Sequence, residues 1–179
     1  MEDKMPNTLV IYNSQSGFTK RYAEWISQAC GCECAEFKQG TKKDLSAYDT
    51  IVFGGWFMAG GITKLSWLKK QLPALSAAGK KIIVYAVGAS PAESPEVSVA
   101  MSRNFSGSQW SAVKTFYCPG GLNYDKMKPF SKFMLKMFAK SLAKKKDATE
   151  DDLKTAEMIS HSYDIADKKY IEPILAELR

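Results

Sequence analysis

The chain has 179 residues, 45% apolar and 25% charged, with a formal charge of +6 and a mean hydropathy of −0.25. A typical domain holds about 150 residues, so one globular domain is expected, with a core large enough to need neither disulfide nor metal. The apolar charge-free run Ile51 to Ile62 is twelve residues with four glycines, and Met1-Glu2-Asp3-Lys4 opens no signal-peptide pattern; membrane-spanning, secreted and disordered classes give way to a cytoplasmic one.

Leu9-Val10-Ile11-Tyr12 is apolar on both faces, as a parallel strand buried between helices must be. Phe18, Tyr22, Trp25, Ile26 and Ala29 then recur at helical spacing. Cys32 to Phe37 reads as a weaker strand and Ile51-Val52-Phe53 as a strong one. Ile62, Leu65, Leu68 and Leu72 predict a helix closed by Pro73, and Ile82 to Val87 the next strand. Ser94-Pro95-Glu96 opens a helix towards Phe105, and Phe116-Tyr117-Cys118 is a last strand. Pro129 to Lys146 predicts a lysine-rich amphipathic helix with Phe130, Phe133, Met134, Met137, Phe138 and Leu142 on one side, a stripe that suits core packing. Thr149-Glu150-Asp151-Asp152 fits a capping box, and Ile171, Ile174, Leu175 and Leu178 define a final helix.

Strands alternating with helices imply an α/β doubly wound sheet, five parallel strands in the order 2-1-3-4-5 with right-handed crossovers. A single domain over 1–179 is expected, with sheet and helices in 8–128 and a basic helical extension in 129–179. Ligands on such sheets bind at the carboxyl ends of the strands, near the switch point between strands 1 and 3. Three loops therefore matter, after Tyr12, Phe53 and Val87.

Cys30, Cys32 and Cys34 show no C-x-x-C spacing, and His161 is the only histidine, so neither a zinc site nor a thioredoxin motif is met. The expectation is that Cys32 and Cys34 share one strand face as buried small hydrophobes, and that His161 lies at the surface. From Lys114 to Lys146 nine lysines face one acid, Asp125, a local excess of +8. A localised basic patch favours an anionic partner unless it is only a solvated helix face. Nucleic acid is not expected, since no recognised reading element accompanies the lysines.

Tyr12-Asn13-Ser14-Gln15-Ser16-Gly17-Phe18-Thr19 joins the first strand to the first helix. A helix N-terminus offers unpaired N–H groups and the positive end of its dipole. The hydroxyls of Ser14, Ser16 and Thr19 add donors and Gly17 permits close approach, so the loop reads as a phosphate cradle. G-x-G-x-x-G and G-x-x-x-x-G-K-[ST] are both absent, against a dinucleotide fold and a P-loop NTPase. Asn13 and Gly54 stand where a phosphoacceptor receiver domain would need aspartates.

Tyr-x-Ser-x-[Ser/Thr]-Gly-x-Thr after a first strand resembles the flavodoxin phosphate-binding fingerprint, and Tyr12 to Thr19 matches it throughout. The resemblance covers residues 8 to 120. It implies a flavodoxin-like fold and FMN, with Ser14, Gln15, Ser16, Gly17, Phe18 and Thr19 at the phosphate. It also implies ring-flanking residues in the second loop, Gly55, Trp56, Phe57, Met58, Ala59 and Gly60, with Trp56 stacked on one face. Val87, Gly88, Ala89 and Ser90 correspond to the other flanking loop. Flavodoxins often carry a tyrosine there, whereas no aromatic occurs here between Val87 and Phe105; Tyr124 is one candidate to cover that face.

Carrier flavodoxins are typically acidic, and this chain has a pI near 9.0. In layout it is similar to the flavodoxin-domain proteins grouped with menaquinone-dependent protoporphyrinogen IX dehydrogenase. That likeness implies an FMN oxidoreductase passing electrons from an anionic substrate to a quinone, with membrane-surface contact through the Lys126–Lys146 stretch. The alternative is an electron-transfer carrier with no small substrate of its own. No catalytic side chain and no metal site are expected in either case.

Overall fold

The computed structural model describes residues 7–179, so the expectation about Met1 to Lys4 lies outside the described residues. Its elements are β1 (Thr8–Tyr12), α1 (Phe18–Cys30), β2 (Glu33–Glu36), α2 (Phe37–Gly40), β3 (Thr50–Met58), β4 (Gly61–Ile62), α3 (Leu65–Ala77) and β5 (Lys81–Gly88). They continue with α4 (Pro95–Asn104), β6 (Val113–Pro119), β7 (Gly121–Leu122), α5 (Pro129–Lys144), α6 (Glu150–Met158), β8 (Tyr163–Asp164) and α7 (Glu172–Leu178).

The main sheet runs β2-β1-β3-β5-β6, all parallel, with the short β4 antiparallel to β3. Counting only the long strands, this is the expected order 2-1-3-4-5. The strands alternate their side chains between two apolar layers. Leu9, Ile11, Ile51, Phe53 and Val84 face Leu68 and Leu72 of α3. Val10, Val52, Ile83 and Tyr85 face Tyr22 and Ile26 of α1 and Ile174 and Leu178 of α7.

Three local expectations change. Ile62 belongs to β4, and α3 runs through Pro73 to Ala77. A helix-interior proline costs one backbone hydrogen bond, and the burial of Leu72 and Leu75 on either side draws the last turn on regardless. The cysteines are half-buried instead of core, although all three pack against the α1-side layer. Gly31 caps α1 in the left-handed region (φ 63°) and turns the chain so that Cys30 and Cys32 pair as a disulfide. Cys34 stays free, its thiol pushed up by burial.

The helical segment after residue 128 divides in two. α7 returns to the sheet, where Ile171, Ile174, Leu175 and Leu178 are buried. Helices α5 and α6 form a separate hairpin over the small cluster of Leu122, Ala139 and Ile159. The predicted capping box is present, with the Thr149 hydroxyl accepting from Asp152 N and the Asp152 carboxylate accepting from Thr149 N. The hairpin is closed at its base by the β7–β8 pair, Gly121 against Asp164 and Leu122 against Tyr163. The large apolar residues expected to pack inward from α5 do not. Leu135, Ala139 and Leu142 hold the inner face, while Phe130, Phe133, Met134, Met137 and Phe138 are between 50% and 72% exposed. The inner face of a 16-residue helix against one short partner needs only a narrow stripe, and the rest of the apolar surface is left over.

Candidate functional site

Register alone brings the three loops together. Tyr12 lies opposite Gly54, Gly54 opposite Tyr85, Trp56 opposite Val87 and Gly88 opposite Pro119, so all three loops leave the same carboxyl edge of the sheet. Gly54 cannot carry a side chain, because a Cβ there would lie on the Tyr85 ring.

The first loop is built around the N-terminus of α1. Gly17 caps the helix at φ 101° with no side-chain cap, and no acid occupies the first turn. The N-terminal donors therefore meet neither a capping oxygen nor a carboxylate, which leaves the dipole's positive end available to an anion. Ser14 Oγ accepts from Gly17 N at 3.2 Å, which tightens the loop. Phe18 and Thr19 are buried, and Tyr85 Oη donates to the Thr19 carbonyl at 3.0 Å from within the sheet layer. Gln15 supplies the most direct signal. Its Nε2 is buried and, among the described residues, has no hydrogen-bond partner. An orphaned buried donor is costly unless a ligand or water accepts from it. Three hydroxyls, an uncapped helix start and this amide fit a phosphate group.

The sequence did not reveal the basic groups beside this loop. Lys126 Nζ comes within 3.8 Å of where a Gly17 Cβ would stand. Arg21 pairs with Asp164 at 2.6 Å. Both belong to an open cleft of about 470 Å³ that Ser16, Gly17, Asn123 and Tyr163 also line. Lys126 follows β6 by several residues, and only the fold carries it back to the first loop. A second concavity of about 350 Å³, lined by Lys43, Trp67 and Lys80, lies beside the starts of β3 and β5, and no predicted site residue reaches it.

The second loop is largely strand. Gly55, Trp56, Phe57 and Met58 continue β3, and Ala59-Gly60 is a two-residue hairpin turn into β4. Both turn residues have positive φ, 49° and 81°, the signature of a type I′ turn. Alternation sends the aromatic pair to opposite layers, with Trp56 on the α1 side and Phe57 on the α3 side. The second loop is thus a hairpin finger. Asn104 holds its tip, donating to Gly60 O at 2.8 Å and accepting from Ile62 N at 3.1 Å. Thr63 Oγ1 joins it to the first loop, accepting from Asn13 Nδ2 at 2.9 Å and from Trp56 N at 3.2 Å. Neither Asn104 nor Thr63 belongs to a motif, so local sequence could not have pointed to them.

The third loop is gripped by two tyrosines from outside it. Tyr117 Oη donates to Ser90 O and Tyr163 Oη to Ala89 O, each at 2.7 Å, and Tyr117 also contacts Phe57 with ring centroids 6.1 Å apart. Val87 is buried and a Cβ on Gly88 would meet Tyr117 Oη at 2.5 Å. Tyr163 is raised to about 12 by burial, and Tyr117 is raised further for the same reason, so both remain neutral donors. Tyr124 packs into the α5–α6 cluster and donates to Ile159 O at 2.5 Å. His161 is exposed, as expected. No group of residues able to hold a metal occurs among the described residues, and no helix among them is long and apolar enough to cross a membrane.

A flavoprotein from Lactobacillus acidophilus, solved in complex with FMN, is 17% identical over 64% of this chain and 92% of its own, with a TM-score of 0.42. Oxidised flavodoxin 2 from Bacillus cereus is 19% identical over 63% of this chain and 84% of its own, with a TM-score of 0.46. A WrbA-like flavodoxin from Agrobacterium tumefaciens is 14% identical over 97% of this chain and 99% of its own, with a TM-score of 0.40. No curated protein sequence matches the chain. The flavodoxin domain profile matches residues 9–149, and the chain belongs to the flavodoxin-domain family.

Proposed function

We propose that the chain binds FMN at the carboxyl edge of its sheet and acts as an oxidoreductase, passing electrons from an anionic, protoporphyrinogen-like substrate to a quinone or another acceptor. The observation that carries the reading is the unpartnered, buried Gln15 amide in an acid-free helix N-terminus. When bound, FMN supplies one- and two-electron transfer. Ser14, Gln15, Ser16, Gly17, Phe18 and Thr19 would hold its phosphate. Gly55 to Gly60 and Val87 to Ser90 would flank the ring, with Trp56 as the stacking side chain.

This chain's residues have three tasks in that scheme. The Thr63 and Asn104 hydrogen bonds keep the β3–β4 finger in one position relative to the first loop. Tyr117 and Tyr163 keep the third loop in place through their neutral hydroxyls. Lys126 adds positive charge beside the phosphate loop, and a positive field favours the reduced, negatively charged form of a bound flavin. The same charge suits a carboxylated substrate, which favours an enzyme over the alternative of an electron-transfer carrier.

The test is the visible absorption spectrum of protein purified without added flavin, with the released chromophore identified by chromatography. Flavin bands with FMN released are expected; a colourless protein that takes up no added FMN overturns the reading. Gln15→Ala sharpens it, because the two states should respond in opposite directions. FMN affinity should fall about tenfold, the loss of one hydrogen bond to a charged group, while the ligand-free protein becomes no less stable, since an orphaned donor has been removed. Turnover of protoporphyrinogen with a quinone acceptor separates the enzyme from the carrier, which turns over no small substrate alone.

A further inference from the structure

We infer that α5 is an interfacial anchor that lays this protein on an anionic lipid bilayer, with its aromatic and methionine face in the headgroup region. The inference does not depend on the flavin reading. Phe130, Phe133, Met134, Met137 and Phe138 fall at i, i+3, i+4, i+7 and i+8, one face of a helix, and all five are exposed. Soluble surfaces seldom show so many large apolar side chains side by side.

What covers this face is indicated by its border. Lys132, Lys136, Lys140 and Lys144 repeat every fourth residue along one flank of the stripe. Lys126 and Lys128 precede the helix, Lys145 and Lys146 follow it, and no acid occurs from Lys126 to Lys146. The ion pairs leave most of this charge unused: among the described residues, only Lys145 of this set pairs with a carboxylate, Asp152 at 3.2 Å. A surface that is both apolar and strongly cationic matches a membrane whose headgroups are anionic and whose acyl boundary is apolar. A second copy of the chain would satisfy the apolar residues but set one lysine row near the other, at a repulsive cost. A nucleic acid would satisfy the lysines and leave the phenylalanines in water.

The geometry suits lying on a bilayer better than entering it. Sixteen helical residues span about 24 Å, short of a hydrocarbon core, and the lysine flank would have to be dehydrated. The anchor is fixed to the rest of the molecule at its base by the β7–β8 pair and the Arg21–Asp164 ion pair. Lys126, just ahead of α5, sits beside Gly17.

The test is co-sedimentation of the full chain with phosphatidylcholine vesicles, with and without phosphatidylglycerol. Binding is expected only to the vesicles containing phosphatidylglycerol, and it should weaken as salt rises. Phe133→Ser with Phe138→Ser should reduce binding about tenfold or more. Lys136→Gln with Lys140→Gln should reduce it roughly fivefold per lysine removed. These side chains are exposed, so unchanged thermal unfolding of both variants is expected, which separates lost docking from lost folding. No binding to either vesicle at low salt, or equal binding to both, overturns the inference. It is also overturned by a dimer that the Phe133→Ser, Phe138→Ser variant abolishes, or by duplex DNA binding that needs the lysines and not the phenylalanines.

Discussion

The sheet and the α5–α6 hairpin carry similar apolar residues and treat them in opposite ways. Phe53 in β3 is fully buried among Leu68, Phe37 and Trp67, ring against ring. Phe133 in α5 stands more than half exposed. A sheet with helices on both faces encloses every residue of its central strands, so an apolar run there has nowhere else to go. A two-helix hairpin encloses only the seam between its helices, and the same residue types remain at the surface. Apolar content therefore reports burial in the first region and leaves an exposed face in the second.

The largest test of that contrast pairs two truncations of the same residue type. Phe53→Ala should destabilise the protein by about 4 kcal/mol, from lost transfer energy and the cavity left behind. Phe133→Ala should change stability by less than about 0.5 kcal/mol. Urea unfolding of each variant decides it, and a large loss at Phe133 would mean that α5 packs inward. A smaller effect is expected at the joint between the regions. Tyr22 Oη donates to Pro119 O at 2.6 Å and accepts from Asp167 N at 3.2 Å, joining α1 to the end of β6 and to the chain's return from the hairpin. Tyr22→Phe should cost about 2 kcal/mol, since the buried Pro119 carbonyl loses its partner and the Asp167 N–H loses another.

Within the hairpin the expected effects shrink further. Thr149→Ala removes the α6 cap and should cost about 1 kcal/mol; if α6 contributes little to global stability, proteolysis within 145–160 should accelerate while the global unfolding midpoint holds. The smallest effect is acidic. The backbone N–H of Thr149, and then Lys145, hold Asp152 below the usual carboxylate range. Lys81, and then Lys114, do the same for Glu177 of α7. A folded value below the unfolded one means that the stabilisation is complete above about pH 5 and is lost as pH falls through the folded value. Asp152→Asn should flatten the acid limb for the hairpin and Glu177→Gln that for the sheet, as separate transitions followed by circular dichroism.

Several parts of the site were legible because their chemistry is local. A strand, three hydroxyls and a glycine at a helix start suggest an anion cradle within eight consecutive residues, and Tyr12 to Thr19 does join β1 to an uncapped, acid-free start of α1. The hairpin form of the second loop was not legible in the same way: Ala59-Gly60 closes a turn pinned by Asn104 and Thr63. Those partners are distant or unremarkable in sequence, and a hydrogen bond formed across 42 positions leaves no local signal. Tyr117 and Tyr163 hold the third loop from outside it in the same long-range way.

By itself, the sequence determined the strand order, the two-layer core and the strand-to-helix turn proposed to hold phosphate. Each follows from short-range periodicity or from a motif contained in one turn, and backbone geometry leaves few alternatives. Only the tertiary structure decided which face of α5 meets the protein, that Cys30 and Cys32 lie side by side, and that Lys126 returns to Gly17. Amphipathic spacing says that a helix has an apolar side. What lies against that side depends on surfaces contributed by distant parts of the chain, and for α5 the folded chain contributes too little to cover it.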